Sequence, residues 1–187
     1  MSRLAIFDET APEAPRFEST DPAAIGRELN AIGVRYEHHA LPEDVTADRD
    51  QDYILDRLSD LVAAQRDIHG YQTADVARVP AGLPDPAPIR AKFLNEHIHA
   101  EDEARLMLDG AGSFYLHVEG KVFQVTCERG DLISVPAGVK HWFDMGEKPC
   151  FSALRFFTDP NGWVADFTGD DIAARFPEHV NAQAAAA

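Results

Sequence analysis

Cysteine is nearly missing from this chain of 187 residues: only Cys127 and Cys150 occur, with no C-x-x-C spacing. That scarcity excludes a disulfide framework and gives no sequence form of a zinc or redox motif, so both thiols read as reduced core residues. Positive charge is also scarce, with 17 Lys and Arg against 32 Asp and Glu and a formal net charge of -15. Such a surface repels a phosphate backbone, which excludes nucleic acid as a partner, and self-repulsion favours a soluble monomer. Long apolar runs are absent. The start Met1-Ser2-Arg3-Leu4-Ala5-Ile6-Phe7-Asp8 reaches an acid after four apolar residues, too few for a signal-peptide core, and no stretch approaches a membrane span. A cytoplasmic enzyme or binding protein with no membrane partner is expected.

What is present fits one domain over residues 1–179, long enough to bury roughly two thirds of the surface its unfolded form exposes. Leu4 to Phe7 reads as a strand, and Thr10 to Ser19, with Pro12 and Pro15, as a linker. Asp21-Pro22 places a capping carboxylate and an N1 proline before Ile25, Leu29 and Ile32 at helical spacing, with Gly33 just past the end. Val34 to Ala40 alternates as a strand, so its neighbours His38 and His39 point to opposite faces and read as surface histidines. Thr46 is expected to cap a longer helix with the stripe Ile54, Leu55, Leu58, Leu61 and Val62, ended by Gly70, with His69 in its last turn suiting the helix dipole. Thr73 to Val79 is another strand, and Asp85-Pro86 repeats the capping device ahead of a short helix carrying Ile89, Phe93 and Leu94.

From Glu103 onward the pattern becomes short apolar runs punctuated by Asp109-Gly110, Glu119-Gly120, Arg129-Gly130 and Pro136-Ala137-Gly138. Six strands without an intervening helix predict an antiparallel sandwich or barrel over 96–157, on which the helices and strands of 1–95 pack. Asp170 is expected to cap a last helix over about 170–176, stopped by Pro177, with 180–187 a disordered tail.

Two histidines one residue apart on an extended chain, His97 and His99, face the same way and form a chelate. Glu103 and the distant His141 complete a set of four if the intervening strands fold back. Three imidazoles and one carboxylate suit Fe, Ni, Mn, Co, Cu or Zn, and four protein ligands leave two cis positions on an octahedral ion, the open edge of a catalytic site. Arg105, two residues past Glu103, shares its inward face, and Arg155 interrupts the apolar run Phe151 to Phe157. A guanidinium stays charged, so inward arginines need an anion, either a protein carboxylate or an oxyanion on a substrate; Arg105 favours the substrate and Arg155 divides evenly. Phe93, Trp142, Phe143 and Trp163 line an apolar pocket or fill core.

The spacing His97-x-His99-x3-Glu103-x6-Gly110, then Gly130-x5-Pro136-x-Gly138-x2-His141, resembles the paired motifs of the cupin superfamily. That resemblance implies a mainly β fold with flanking helices (α+β), built on the double-stranded β-helix or jelly-roll barrel. The match departs at Ala91, where cupins usually carry glycine, and at Met145, where asparagine is common; neither is a ligand position. The longer strings Phe93-Leu94-Asn95-Glu96-His97, His97 to Arg105, Asp131 to Ala137, His141 to Gly146, Gly162-Trp163 and Phe167 to Asp171 are similar to the acireductone dioxygenase family, strongly over Ile89 to Ala173.

The resemblance implies an enzyme of methionine salvage that cleaves the acireductone 1,2-dihydroxy-3-keto-5-methylthiopentene with O2 at one divalent Fe2+ or Ni2+. It implies that iron gives the 2-keto acid precursor of methionine plus formate, and nickel gives methylthiopropionate, formate and carbon monoxide. The ligands it implies are His97, His99, Glu103 and His141. Arg105 would hold the substrate as a dianion, Arg155 would be a second substrate-side arginine, and Phe93, Phe143 and Trp163 would wall its reactive end. Glu96 and Asp102 match acidic positions with a supporting role. The alternatives are another cupin dioxygenase or an isomerase, or a non-catalytic cupin binding a small molecule; oxygen consumption separates these. His117 and His179 receive no role.

Overall fold

A computed structural model describes residues 1–159 and 163–181. Gly162 of the family string and 182–187 of the expected tail lie outside the described residues. The chain begins with β1 (Arg3–Asp8), whose apolar centre is buried, and β1 pairs antiparallel with β2 (Phe17–Ser19). The end of the proline-containing stretch is therefore a strand, not linker: neither proline lies at 17–19, where backbone donors are free to pair. Helix α1 (Pro22–Ala31) starts as expected, Asp21 accepting from the Ala23 amide, and buries Ala24, Ile25 and Leu29. β3 (Arg35–His38) follows.

The expected helix from Thr46 begins later and is broken. Asp50 is the cap, accepting from Tyr53 N at 2.8 Å, and α2 (Gln51–Arg57) gives way at Leu58 to α3 (Ser59–His69). Residues 47–49 stay out of the helix because carbonyls there are used elsewhere: the Arg78 guanidinium takes Ala47 O and Arg49 O. Asp44 accepts from Tyr53 and Arg57, which ties the loop to α2. β4 (Thr73–Val79) is as predicted. α4 (Ala87–Ala91) forms without Asp85 as its cap; Asp85 takes a left-handed φ of 53° and turns the chain.

Then come β5 (His97–Ile98), β6 (Glu103–Val118), β7 (Lys121–Glu128), β8 (Asp131–Val135), β9 (Lys140–Asp144), β10 (Phe151–Phe157) and β11 (Asp166–Phe167). Two strands expected on either side of Asp109-Gly110 are one strand, β6. Its first half pairs with β8 and β10, its second with β7 and β9, so the bend moves the chain from one sheet to the other. Gly110 has φ +68°, and a Cβ there would come 1.8 Å from the carbonyl oxygen of Cys150. The Asp-Gly pair thus supplies a positive φ as a turn would, yet uses it for a sheet corner with a register shift.

One layer runs β11-β5-β9-β6-β7-β1-β2, and the other places β10 between β4 and β6, with β8 between β6 and β3. Apolar side chains between them form the main core, including Leu4, Met107, Phe114, Phe143 and Phe151. Trp142 points the other way and stacks on Tyr115 at 5.0 Å, so it fills core rather than lining the pocket. The expected last helix is a single 3₁₀ turn at Ile172–Arg175, with Asp170 accepting from Ile172 N. The start of the expected tail is docked: Asn181 accepts from Lys148 N and donates to Met145 O.

Candidate metal centre

β5 and β9 are antiparallel neighbours, with His97 directly opposite His141. His99 comes immediately after β5, and Glu103 opens β6, which also pairs with β9. The four side chains are buried, and one potential ligand atom from each lies within 4.8 Å of the others. Ring centroids stand 4.5 Å apart for His97 and His141, 4.9 Å for His97 and His99, and 5.1 Å for His99 and His141.

Each imidazole is oriented by its second nitrogen. Nδ1 of His97 donates to Asn95 O at 2.8 Å, Nδ1 of His99 to Val164 O at 2.9 Å, and Nδ1 of His141 to Val139 O at 2.8 Å. A carbonyl can only accept, so the proton is on Nδ1 and the Nε2 lone pair of each neutral ring is left for a ligand. Nε2 of His99 and of His141 sit 2.9 and 3.4 Å from the same Glu103 oxygen, Oε2. Lone pairs crowding a carboxylate repel unless a proton or cation stands among them. His141 Nε2 has no hydrogen-bond partner although buried. The donor set therefore fits a divalent ion.

Charge around the site is ordered. Burial pushes the Glu103 carboxyl up, but the adjacent Arg105 guanidinium and contacts from His141 and His99 outweigh it and hold it well below the usual carboxylate range. Burial lowers His97, while His99, also opposed by burial, is raised by Glu103 and the Val164 carbonyl. Arg105 is 7 % exposed, lies 2.7 Å from Glu103 Oε1, and keeps Nε without a partner. Its guanidinium sits 5.0 to 5.4 Å from the ring centres of Phe114, Phe143 and Trp163. Cross-strand from it, Arg155 is clamped by both carboxylate oxygens of Asp75, at 2.7 and 2.6 Å.

These groups line a cavity of about 640 Å³ shared with Phe93, Phe143 and Trp163. Two expected supporting residues lie outside it. Glu96 is buried behind β5, bonded to His117 Nδ1 at 2.6 Å and to Thr168 Oγ1 at 2.6 Å, which gives the unassigned His117 its partner. Asp102 accepts from Ala137 N, and its carbonyl receives the Trp163 indole. His38 and His39 contact Asp131 and Glu37 away from the site, His69 tilts against Tyr71, and His179 bonds Ser113. Sequence reasoning missed Asp75, Thr168 as a buttress of Glu96, and Gly112, where a Cβ would meet the Phe143 ring at 2.3 Å. Only pairing register reveals Asp75 and Gly112; no local pattern marks them.

Fold and site together define a metal-centred enzyme of the cupin class. Residues 3–165 match the model of the ARD/ARD' family. Acireductone dioxygenases of Synechococcus sp. (strain CC9605) and Acidiphilium cryptum (strain JF-5) are 50% and 47% identical, each covering 95% of this chain and 98% of its own length. A solved acireductone dioxygenase from Bacillus anthracis, with a cadmium ion in its active center, superposes with a TM-score of 0.77 at 28% identity, over 89% of this chain and 98% of that one. The chain belongs to the acireductone dioxygenase family.

Proposed function

We propose that this protein is an acireductone dioxygenase of methionine salvage, cleaving 1,2-dihydroxy-3-keto-5-methylthiopentene with O2. The observation that carries the reading is the buried His97, His99, Glu103 and His141 set beside a buried arginine with an unpartnered donor, in a chain of this family. The ion they would hold, Fe2+ or Ni2+, supplies Lewis acidity and a point of attachment for the substrate oxygens. Iron loading is expected to give 4-methylthio-2-oxobutanoate and formate, and nickel loading 3-methylthiopropionate, formate and carbon monoxide.

The chain's own residues prepare the substrate. Arg105 is a fixed, desolvated cation whose Nε and remaining guanidinium donors favour the deprotonated enediol, the form that gives electrons readily to oxygen. Phe93, Phe143 and Trp163 keep water from the reacting end, which strengthens that attraction. Arg155 is neutralised by Asp75, so its part is to support Trp163, 5.7 Å from its guanidinium, more than to bind an anion. Glu96 and Asp102 act from outside the cavity, the first bracing β5 through Thr168 and His117, the second anchoring Trp163 through its carbonyl.

Among the described residues no helix is long and apolar enough to cross a membrane. With a net charge of -15 this supports a monomeric cytoplasmic enzyme without nucleic-acid partners. The test is oxygen uptake with the acireductone, beside elemental analysis of the protein. His99→Ala and Glu103→Ala should purify folded, without metal and without uptake, while Arg105→Ala should keep metal and lose turnover. Unchanged turnover in any of the three would overturn the assignment.

A further inference from the structure

Three neighbouring strands set three charged side chains in one row across the cavity wall. Arg105 on β6 stands directly opposite Arg155 on β10, and Arg155 directly opposite Asp75 on β4. Opposed residues of antiparallel strands share a face, and all three line the cavity. Side-chain exposure rises along the row, from 9 % for Arg105 to 32 % for Arg155 and 39 % for Asp75, so the row runs from the buried metal end toward solvent. Both guanidinium groups approach the Trp163 ring, at 5.3 and 5.7 Å from its centre. Like charges directly opposite repel, and the carboxylate relieves this: burial works against the Arg105 charge and Glu103 for it, while Arg155 adds repulsion and Asp75 cancels part of it. The contact is also specific in shape. Asp75 takes the Nε and Nη2 edge of Arg155 with both oxygens, at 2.7 and 2.6 Å, the two-pronged way in which a guanidinium binds any carboxylate.

We infer that Asp75 occupies Arg155 so that the carboxylate products of the reaction do not, which makes it a positioning residue for product release. The inference rests on the acireductone reading above. With either metal, every charged product of that reaction is a carboxylate: formate, together with a 2-keto acid or 3-methylthiopropionate. The acireductone instead presents enediol oxygens to the metal, with Arg105 as the cation beside them. A second free guanidinium would therefore add more to the grip on product than to the grip on substrate, and slow release is a common limit on turnover. Asp75 is tethered on the adjoining strand, so it competes for Arg155 at high effective concentration.

The experiment measures carboxylate affinity of the metal-loaded protein at equal metal content, as the calorimetric Kd for 4-methylthio-2-oxobutanoate and for formate and as product inhibition of oxygen uptake. Asp75→Asn should tighten 4-methylthio-2-oxobutanoate about tenfold, the low end for a charge-assisted contact because Arg155 is part exposed. In an Arg155→Gln background the same change should leave the affinity as it was, since no guanidinium is freed. Tightening of less than about threefold, or tightening that persists without Arg155, would overturn the inference. A side chain that only steadied the wall would loosen binding when replaced, the opposite sign. Should Asp75→Asn fail to fold, Asp75→Thr, suited to an edge strand, replaces it with the same expected tightening. If the native enzyme consumes no oxygen with the acireductone, the reaction assignment fails by itself, and the calorimetric comparison still decides whether Asp75 keeps carboxylates from Arg155.

Discussion

An imidazole whose Nδ1 hydrogen is committed to a backbone carbonyl has a single lone pair left to offer, and three such rings here share one carboxylate. At the scale of single residues this explains why His97, His99 and His141 are oriented before any ion arrives. It also gives glycine an unexpected part. Gly112 has no unusual φ, yet a Cβ would stand 2.3 and 2.7 Å from the Phe143 ring, itself packed against Phe114 and Phe151. Gly112→Ala should therefore press that ring toward Arg105 and the cavity. The expected outcome is unchanged metal content and a loss of tenfold to roughly a hundredfold in kcat/KM, the usual cost of about an ångström of misplacement. Steady-state kinetics beside elemental analysis would check it. The chelating histidines and the inward Arg105 were legible from period-two alternation, whereas Gly112 was not, because its constraint comes from β9, thirty residues away.

At the scale of elements, β6 decides the architecture. It serves two sheets because Gly110 bends it where any side chain would enter the Cys150 carbonyl. Gly110→Ala combines positive-φ strain with that backbone clash and should cost roughly 2–3 kcal/mol or more, read from the denaturant midpoint. β9 is anchored differently. Asp144, at its end, accepts from Arg90 at 2.7 and 2.9 Å and from the amides of Gly146 and His179 at 2.8 Å each, drawing α4 and the C-terminal segment onto the strand. Asp144→Asn leaves the half-buried Arg90 with Glu178 as its remaining charge partner and should cost about 1–3 kcal/mol. α1 and β1 were readable because cap and alternation lie within their own sequences. The shifted start of α2 and the single β6 were not, since tertiary demands on Ala47, Arg49 and Gly110 overrode local signals.

At the scale of the molecule, the ion and the protons are linked to folding. Four prearranged ligands bind an ion in the folded chain only, so chelation should lower the thermal midpoint. The lost stability would be about 2.7 kcal/mol if free metal had been a hundredfold above its dissociation constant. Acid acts at two further places. Burial pushes the His179 ring below its ordinary 6.5, so the unfolded chain binds that proton more readily, and stability falls as pH drops below about 6.5. Burial alone would raise Asp144, but Arg90 and two amides hold it below 3.8, so a second loss follows as pH falls through that value. Denaturant melts of metal-free protein across pH 3 to 8 should show both losses, and His179→Gln should reduce the upper one, to which His69 and His97, also lowered by burial, contribute.

The sequence by itself determined the ligand types, their chelating pair, the inward arginine and the β-rich class, because alternation and spacing are properties of neighbouring residues. It also fixed the acidic balance, which needs no fold to act on partners. Only the tertiary structure decided that Asp75 neutralises Arg155 and that Trp142 turns away while Trp163 covers the site. Those outcomes depend on which strands lie side by side, and register between strands distant in the chain is set by the packing of the whole core.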